Sequence, residues 1–154
     1  MLDHPYRTPA LVLSLLTLQA VLPPVTPALA SPAADRASLT ISFTGLGRPG
    51  GYIMAGVFDS EAAFNGDRPV QGVRIPVTGP KVSQTVTGLK PGRYAIKAYH
   101  DVNGDSRMNT NPFGLPTEPY AASRNAPSRM GPPAWADAVF QVAAGDNAQT
   151  IAID

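Results

Sequence analysis

Apolar and polar residues alternate along this chain in short runs, and glycine and proline separate the runs. Leu39, Ile41 and Phe43 alternate with Thr40, Ser42 and Thr44, the pattern of a half-buried strand. Tyr52 to Phe58 is apolar on both faces and predicts a central strand. Asp59-Ser60 offers a helix N-cap, and Glu61 to Phe64 predicts one helical turn that Asn65-Gly66 ends. Val70 to Val77 predicts a third strand, which Pro76 confines to an edge. Val82 to Thr87 alternates again. Pro91-Gly92 makes a tight turn into Tyr94–Asp101, the strongest strand of the chain. On it Tyr94, Ile96, Ala98 and His100 share one face, and Ala95, Lys97, Tyr99 and Asp101 the other.

From residue 102 to 134 no periodic run appears. An unstructured connection of that length is unusual in a small domain unless it is functional or disordered. Trp135 to Val142 and Gln149 to Ile153 predict two closing strands around a turn at Gly145-Asp146-Asn147. About seven short strands at this spacing predict an all-β fold, an antiparallel β-sandwich of the immunoglobulin kind with one long loop over residues 102–134.

The first thirty residues have a different pattern. Arg7 precedes an apolar run from Ala10 to about Val21, followed by a proline-broken stretch ending Ala28-Leu29-Ala30. The run is shorter than a bilayer span, and small residues at 28 and 30 suit signal-peptidase cleavage. The expected organisation is a signal peptide over 1–30, a polar disordered leader over 31–37 and one β domain over 38–154. The mature protein is expected in the periplasm or outside the cell, with no transmembrane segment.

Composition narrows the chemistry. The chain has no cysteine, which removes thiol catalysis and thiolate metal sites. Twelve Lys and Arg stand against eleven Asp and Glu, so no basic nucleic-acid surface is expected. No Gly-x-Ser-x-Gly elbow and no glycine-rich phosphate loop occur.

One constellation could carry an ion. Asp101, Asn103, Asp105 and Asn109 occupy positions one, three, five and nine of a loop, with the carbonyl of Arg107 at seven. Calcium takes six to eight hard oxygens, and turning loops deliver them at alternate positions. The glycine falls at position four rather than six, and Pro112 stands where a bidentate acid belongs; Glu118 is a distant candidate for that carboxylate. The competing reading is a metal-free turn, since Asp, Asn and Gly favour turns for local reasons.

His100 is the sole histidine after the leader and is a weak catalytic candidate. Strand neighbours face opposite ways, so Asp101 is poorly placed to orient it, and a core-edge histidine is the expectation. Tyr120, Arg107, Arg124 and Arg129 are candidates for a ligand or partner surface. Phe113 and Trp135 are expected to pin the long loop onto the sandwich.

His100 to Asp105, then Asn109 to Pro116, Glu118, Tyr120 and Ser123, together with Gly131 to Ala138 and Gly56 to Ser60, resemble the bacterial family called domain of unknown function 2141. The resemblance spans Leu39 to Ile153 and implies an exported protein of no assigned activity. The phrase Gly88-Leu89-Lys90-Pro91-Gly92-Arg93-Tyr94 is also similar to the hairpin of transthyretin-like and carboxypeptidase-regulatory modules, which implies a Greek-key sandwich.

The leading expectation is a non-catalytic exported module that presents its loop to a small ligand, a glycan or an envelope protein, with calcium as the candidate cofactor. Two alternatives stand: a small hydrolase or isomerase using His100 with Asp101 or Glu118, and a structural envelope protein.

Overall fold

Strand β1 (Ala37–Thr44) buries every second residue, and Ala37, Leu39, Ile41 and Phe43 are all in the core. Fully burying a side chain such as Leu39 or Phe43 contributes about 1.5–3 kcal/mol. In the computed structural model residues 36–153 are described, except Arg48 and Met130. The predicted signal peptide and all but the last two leader residues lie outside that range.

β2 (Tyr52–Phe58) leads into α1 (Glu61–Asn65), where Ser60 Oγ accepts from Ala63 N at 3.3 Å as the predicted N-cap. β3 (Gln71–Pro76), β4 (Val82–Leu89) and β5 (Gly92–Asp101) follow. The β4–β5 turn is closed by Tyr94, whose hydroxyl donates to the Lys90 carbonyl at 2.9 Å. Then come β6 (Tyr120–Ala122), a 3-10 turn at Ser123–Asn125, α2 (Trp135–Ala138), β7 (Phe140–Val142) and β8 (Gly145–Ala152).

Two sheets face each other across the core. One has the order β4-β1-β8; the other runs β3-β2-β5-β6, with β7 paired to the start of β5. As the two-faced apolar pattern implied, β2 is interior, and β3 with its proline is an edge. The all-β sandwich is therefore present, with eight strands among the described residues instead of seven. One pair departs from the antiparallel expectation: β1 and β8 run parallel, from Ala37↔Gly145 to Thr44↔Ala152.

Two local differences have clear causes. Residues 135–138 form a helical turn, not the first half of a strand. Trp135 and Ala138, three apart, fall on one helical face and both enter a second apolar cluster. The tract predicted as featureless holds β6, whose three residues pair with Tyr99, Ala98 and Lys97. Such a strand is too short to register as a period.

The second cluster lies on the outer side of the five-stranded sheet. Phe58, Phe64, Ala95, Ala122 and Trp135 form it under α1 and α2, with edge-on ring pairs Phe58–Phe64 at 5.4 Å and Phe64–Trp135 at 5.7 Å. Ser123 ties it to the sheet: its buried Oγ accepts from Ile96 N at 2.9 Å and donates to the Ala138 carbonyl at 2.6 Å.

Candidate functional site

β5 ends at Asp101, where the long loop begins. Asp101 is fully buried (0 % exposed), and its carboxylate organises the turn. Oδ1 accepts from Gly104 N at 2.8 Å and Asp105 N at 3.1 Å, and Oδ2 accepts from Ser106 N at 2.9 Å. A buried carboxylate needs such donors, because burying it unpaired would cost several kcal/mol. Gly104 takes φ 77° and Ser106 φ 64°, so the chain turns left-handed at the sixth loop position without a glycine there.

Glu118, 7 % exposed, clamps the same loop from its far end. Its Oε1 accepts from Val102 N and its Oε2 from Asn109 N, each at 3.0 Å. One carboxylate thus holds both ends of residues 102–109.

Above these clamps three side chains converge. Asn103 Nδ2 donates to Asp105 Oδ2 at 3.0 Å and to Asn109 Oδ1 at 3.1 Å, and Asn109 Nδ2 donates to Asp105 Oδ2 at 3.1 Å. The Asn109 bond and the Arg107 backbone N–H hold the Asp105 carboxyl below the usual carboxylate range. The structure therefore brings Asn103, Asp105 and Asn109 together, while Asp101 and Glu118 spend their oxygens on backbone amides. Among the described residues no three acidic or histidine side chains converge as a metal-ligand group. Turning the two asparagine amides would aim oxygens at Asp105 Oδ2, since amide N and O exchange places by rotation. The fit to calcium is partial, with one carboxylate, Asp105, at its centre and its Oδ1 already accepting from Arg107 N at 2.9 Å.

His100 lies on the core side of β5, and its Nε2 is 2.8 Å from the Gly50 carbonyl. It makes no hydrogen bond to Asp101 or Glu118, so the structure does not assemble the pair that acid–base chemistry would use. Two open depressions, each of about 400 Å³, run along β3 and β4, and no predicted site residue lines either.

The predicted surface residues separate. Arg124 sits in the left-handed region (φ 59°) and donates to the Val139 carbonyl at 3.1 Å, a structural tie. Arg107 and Arg129 are exposed. Tyr120 pairs with Tyr99 on β5, Tyr99 with Met54 on β2, and Met54 with Arg74 on β3. These residues form one row across the outer face of the sheet. Tyr52, next on that face, carries the Arg74 guanidinium 3.3 Å from its ring centroid. Burial raises the Tyr99 hydroxyl pKa, and the negative charges of Asp101, Glu118 and Asp105 add to the shift.

Of the two rings expected to pin the loop, Trp135 is buried as predicted. Phe113 is not: it is 89 % exposed at the loop tip. The sequence suggested pinning because an aromatic ring usually repays the ordering of an irregular segment, but here Asp101 and Glu118 supply that order through hydrogen bonds.

A family model matches residues 41–151, with the description "uncharacterized protein conserved in bacteria". The chain belongs to the DUF2141 family. The match runs from within β1 to within β8 and so spans the clamped loop and the tyrosine row. No curated protein matches the chain, and no solved structure does. The likeness of this DUF2141 domain to transthyretin-like modules accordingly rests on the β4–β5 hairpin alone.

The row Arg74, Met54, Tyr99, Tyr120 was only partly visible in sequence. Tyr99 on the polar face of its strand was the available signal. That Tyr120 stands beside it depended on β6, which three residues could not announce.

Proposed function

We propose that this DUF2141 protein is an exported, non-catalytic binding module that holds a glycan across the outer face of its five-stranded sheet. The observation that carries the reading is the tyrosine row. Tyr52, Tyr99 and Tyr120 are each half-buried on that outer face, with the Arg74 guanidinium against the Tyr52 ring. Tyrosine rings offer rigid apolar surface with a hydroxyl at the edge. That combination suits a sugar ring, which has a flat C–H face and peripheral hydroxyls. Arg74 adds planar donors. The absence of a histidine–carboxylate pair at this face favours binding over turnover. Export rests on the pattern of residues 1–30.

Calorimetric titration with soluble oligosaccharides of glucose and of N-acetylglucosamine tests this. Tyr99→Ala and Tyr120→Ala should each weaken binding at least tenfold while leaving the circular dichroism spectrum intact. Heats that are absent for the wild type, or unchanged in both variants, would refute the reading.

A second reading concerns the loop. Ser106 in the left-handed region at position six and the convergence of Asn103, Asp105 and Asn109 favour a weak calcium site stabilising residues 101–109. With millimolar affinity and a tenfold excess of calcium, mass action adds about 1.4 kcal/mol. Thermal unfolding in calcium and in chelator should differ for the wild type and coincide for Asp105→Ala. Coincidence in the wild type leaves the loop as a metal-free turn.

A further inference from the structure

Between Asn109 and Thr117 the chain makes a small hairpin of its own. Thr110 bridges Pro116, Asn111 N donates to the Leu115 carbonyl at 2.8 Å, and Thr117 N donates to the Asn109 carbonyl at 2.9 Å. Asn111 closes the tip. Its side-chain oxygen accepts from Phe113 N at 2.9 Å and Leu115 N at 3.0 Å, and its carbonyl accepts from Gly114 N at 2.9 Å. Pro112 and Pro116 have no N–H. From Asn111 to Thr117 every backbone donor is therefore either used inside the hairpin or missing. From Met108 to Thr117 there is also no ionisable side chain. Yet the apolar groups face out: Phe113 is 89 % exposed and Leu115 61 % exposed.

We infer that this tip inserts into the interfacial layer of a lipid bilayer. A bilayer penalises unpaired backbone groups and buried charges; from Asn111 to Thr117 the tip brings no charge and no free backbone N–H, and at interfacial depth water still reaches its open carbonyls. A protein partner would instead read an interface with roughly one hydrogen bond per 100–200 Å². From Asn111 to Thr117 the Asn111 side-chain amide is the one N–H group left to give, so lipid is the better match. Its reach agrees: about three residues per arm at ~3.3 Å each is ~10 Å. Elements seated in the interface enter to about 5–10 Å. Arg107 is exposed just before the hairpin, at headgroup level when the tip is down, and Met108 extends the apolar rim. The clamps at Asp101 and Glu118 hold the hairpin ready, so little order is lost on insertion. The inference is independent of the glycan reading, which uses a different face.

The test places a fluorophore at the tip of the full chain. Phe113→Trp is mixed with phosphatidylcholine vesicles carrying bromine at shallow acyl positions, and the wild-type emission of buried Trp135 is subtracted. Val70→Trp, at an exposed position far along the chain in another turn, serves as the control. The expected result is a blue shift and quenching of Trp at 113, little change when anionic lipid is added, and no quenching at 70. Adding Leu115→Ser should cut the quenching at least threefold. Emission at 113 that ignores vesicles would overturn the inference. So would equal quenching at 70 and 113, which marks non-specific adsorption. A blue shift without vesicles that grows with protein concentration also overturns it and assigns the tip to a second copy of the chain.

Discussion

Glu118 offers the sharpest test of how the long loop is held. Its carboxylate accepts two backbone amides, Val102 N and Asn109 N, at 3.0 Å each, and the side chain is nearly buried. Hydrogen bonds to a charged group contribute about 1.5–3 kcal/mol each. Two would give about 3–6 kcal/mol, but both amides lie in an exposed loop that water can re-enter. About 2–4 kcal/mol is then the expected loss for Glu118→Ala. A domain of about 120 residues unfolds with an entropy near 0.25 kcal/mol/K, so each kcal/mol moves the midpoint by about 4 °C. Glu118→Ala should lower it by about 8–16 °C. Glu118→Gln keeps the shape and one acceptor oxygen and should lower it by about 4–8 °C. Thermal unfolding followed by circular dichroism gives both values. Hydrogen exchange at Val102 and Asn109 locates the change, because both amides should lose protection in the alanine variant. A midpoint within about 4 °C of wild type, with both amides still protected, would show that the clamp does not hold the loop.

Ser123→Ala strands the buried Ile96 N–H and Ala138 carbonyl, and urea unfolding should report a loss of about 2–4 kcal/mol. Gly51→Ala should lose more than about 3 kcal/mol, or fail to fold, because Gly51 has φ 68° and a Cβ there would overlap the Asp101 carbonyl oxygen. The folded pKa of Asp105 lies below its unfolded value. Its contribution to stability is then complete above the ordinary carboxylate range and fades as pH falls through the lowered value. NMR shifts at Asn103 and Asn109 should therefore titrate with a midpoint below that of an ordinary aspartate. Tyr94 and Tyr99 are both raised by burial, so an absorbance titration should show tyrosine ionisation above the ordinary phenol range, and Tyr99→Phe should remove part of it.

The strands were legible wherever one face is buried. In β1 burial and polarity alternate residue by residue, so the sequence pattern is the packing pattern. The N-cap at Ser60 was legible because its partner is three residues away. What stayed hidden depends on distant partners. Glu118 reaches back sixteen residues to Val102, a separation that leaves no local pattern. The direction of β8 beside β1 was likewise hidden, since a period of two is the same in parallel and antiparallel pairs. Phe113 shows a different failure: an aromatic residue in an irregular tract predicts burial only if the tract has no other source of order, and this one has two buried carboxylates.

The parallel pairing of β1 with β8 also sets an order of events. β1 is the middle strand of its sheet and lies between β4 and β8, whose register partners for Ala37 are Leu89 and Gly145. The larger sheet needs only residues 52–142. The smaller sheet cannot close until β8 reaches β1 from the far end of the domain. The domain therefore stays unlatched until that long-range pairing forms, and β8 is its bolt. Substitutions in β8 should then accelerate unfolding and leave the folding rate nearly unchanged, the signature of contacts made after the rate-limiting step.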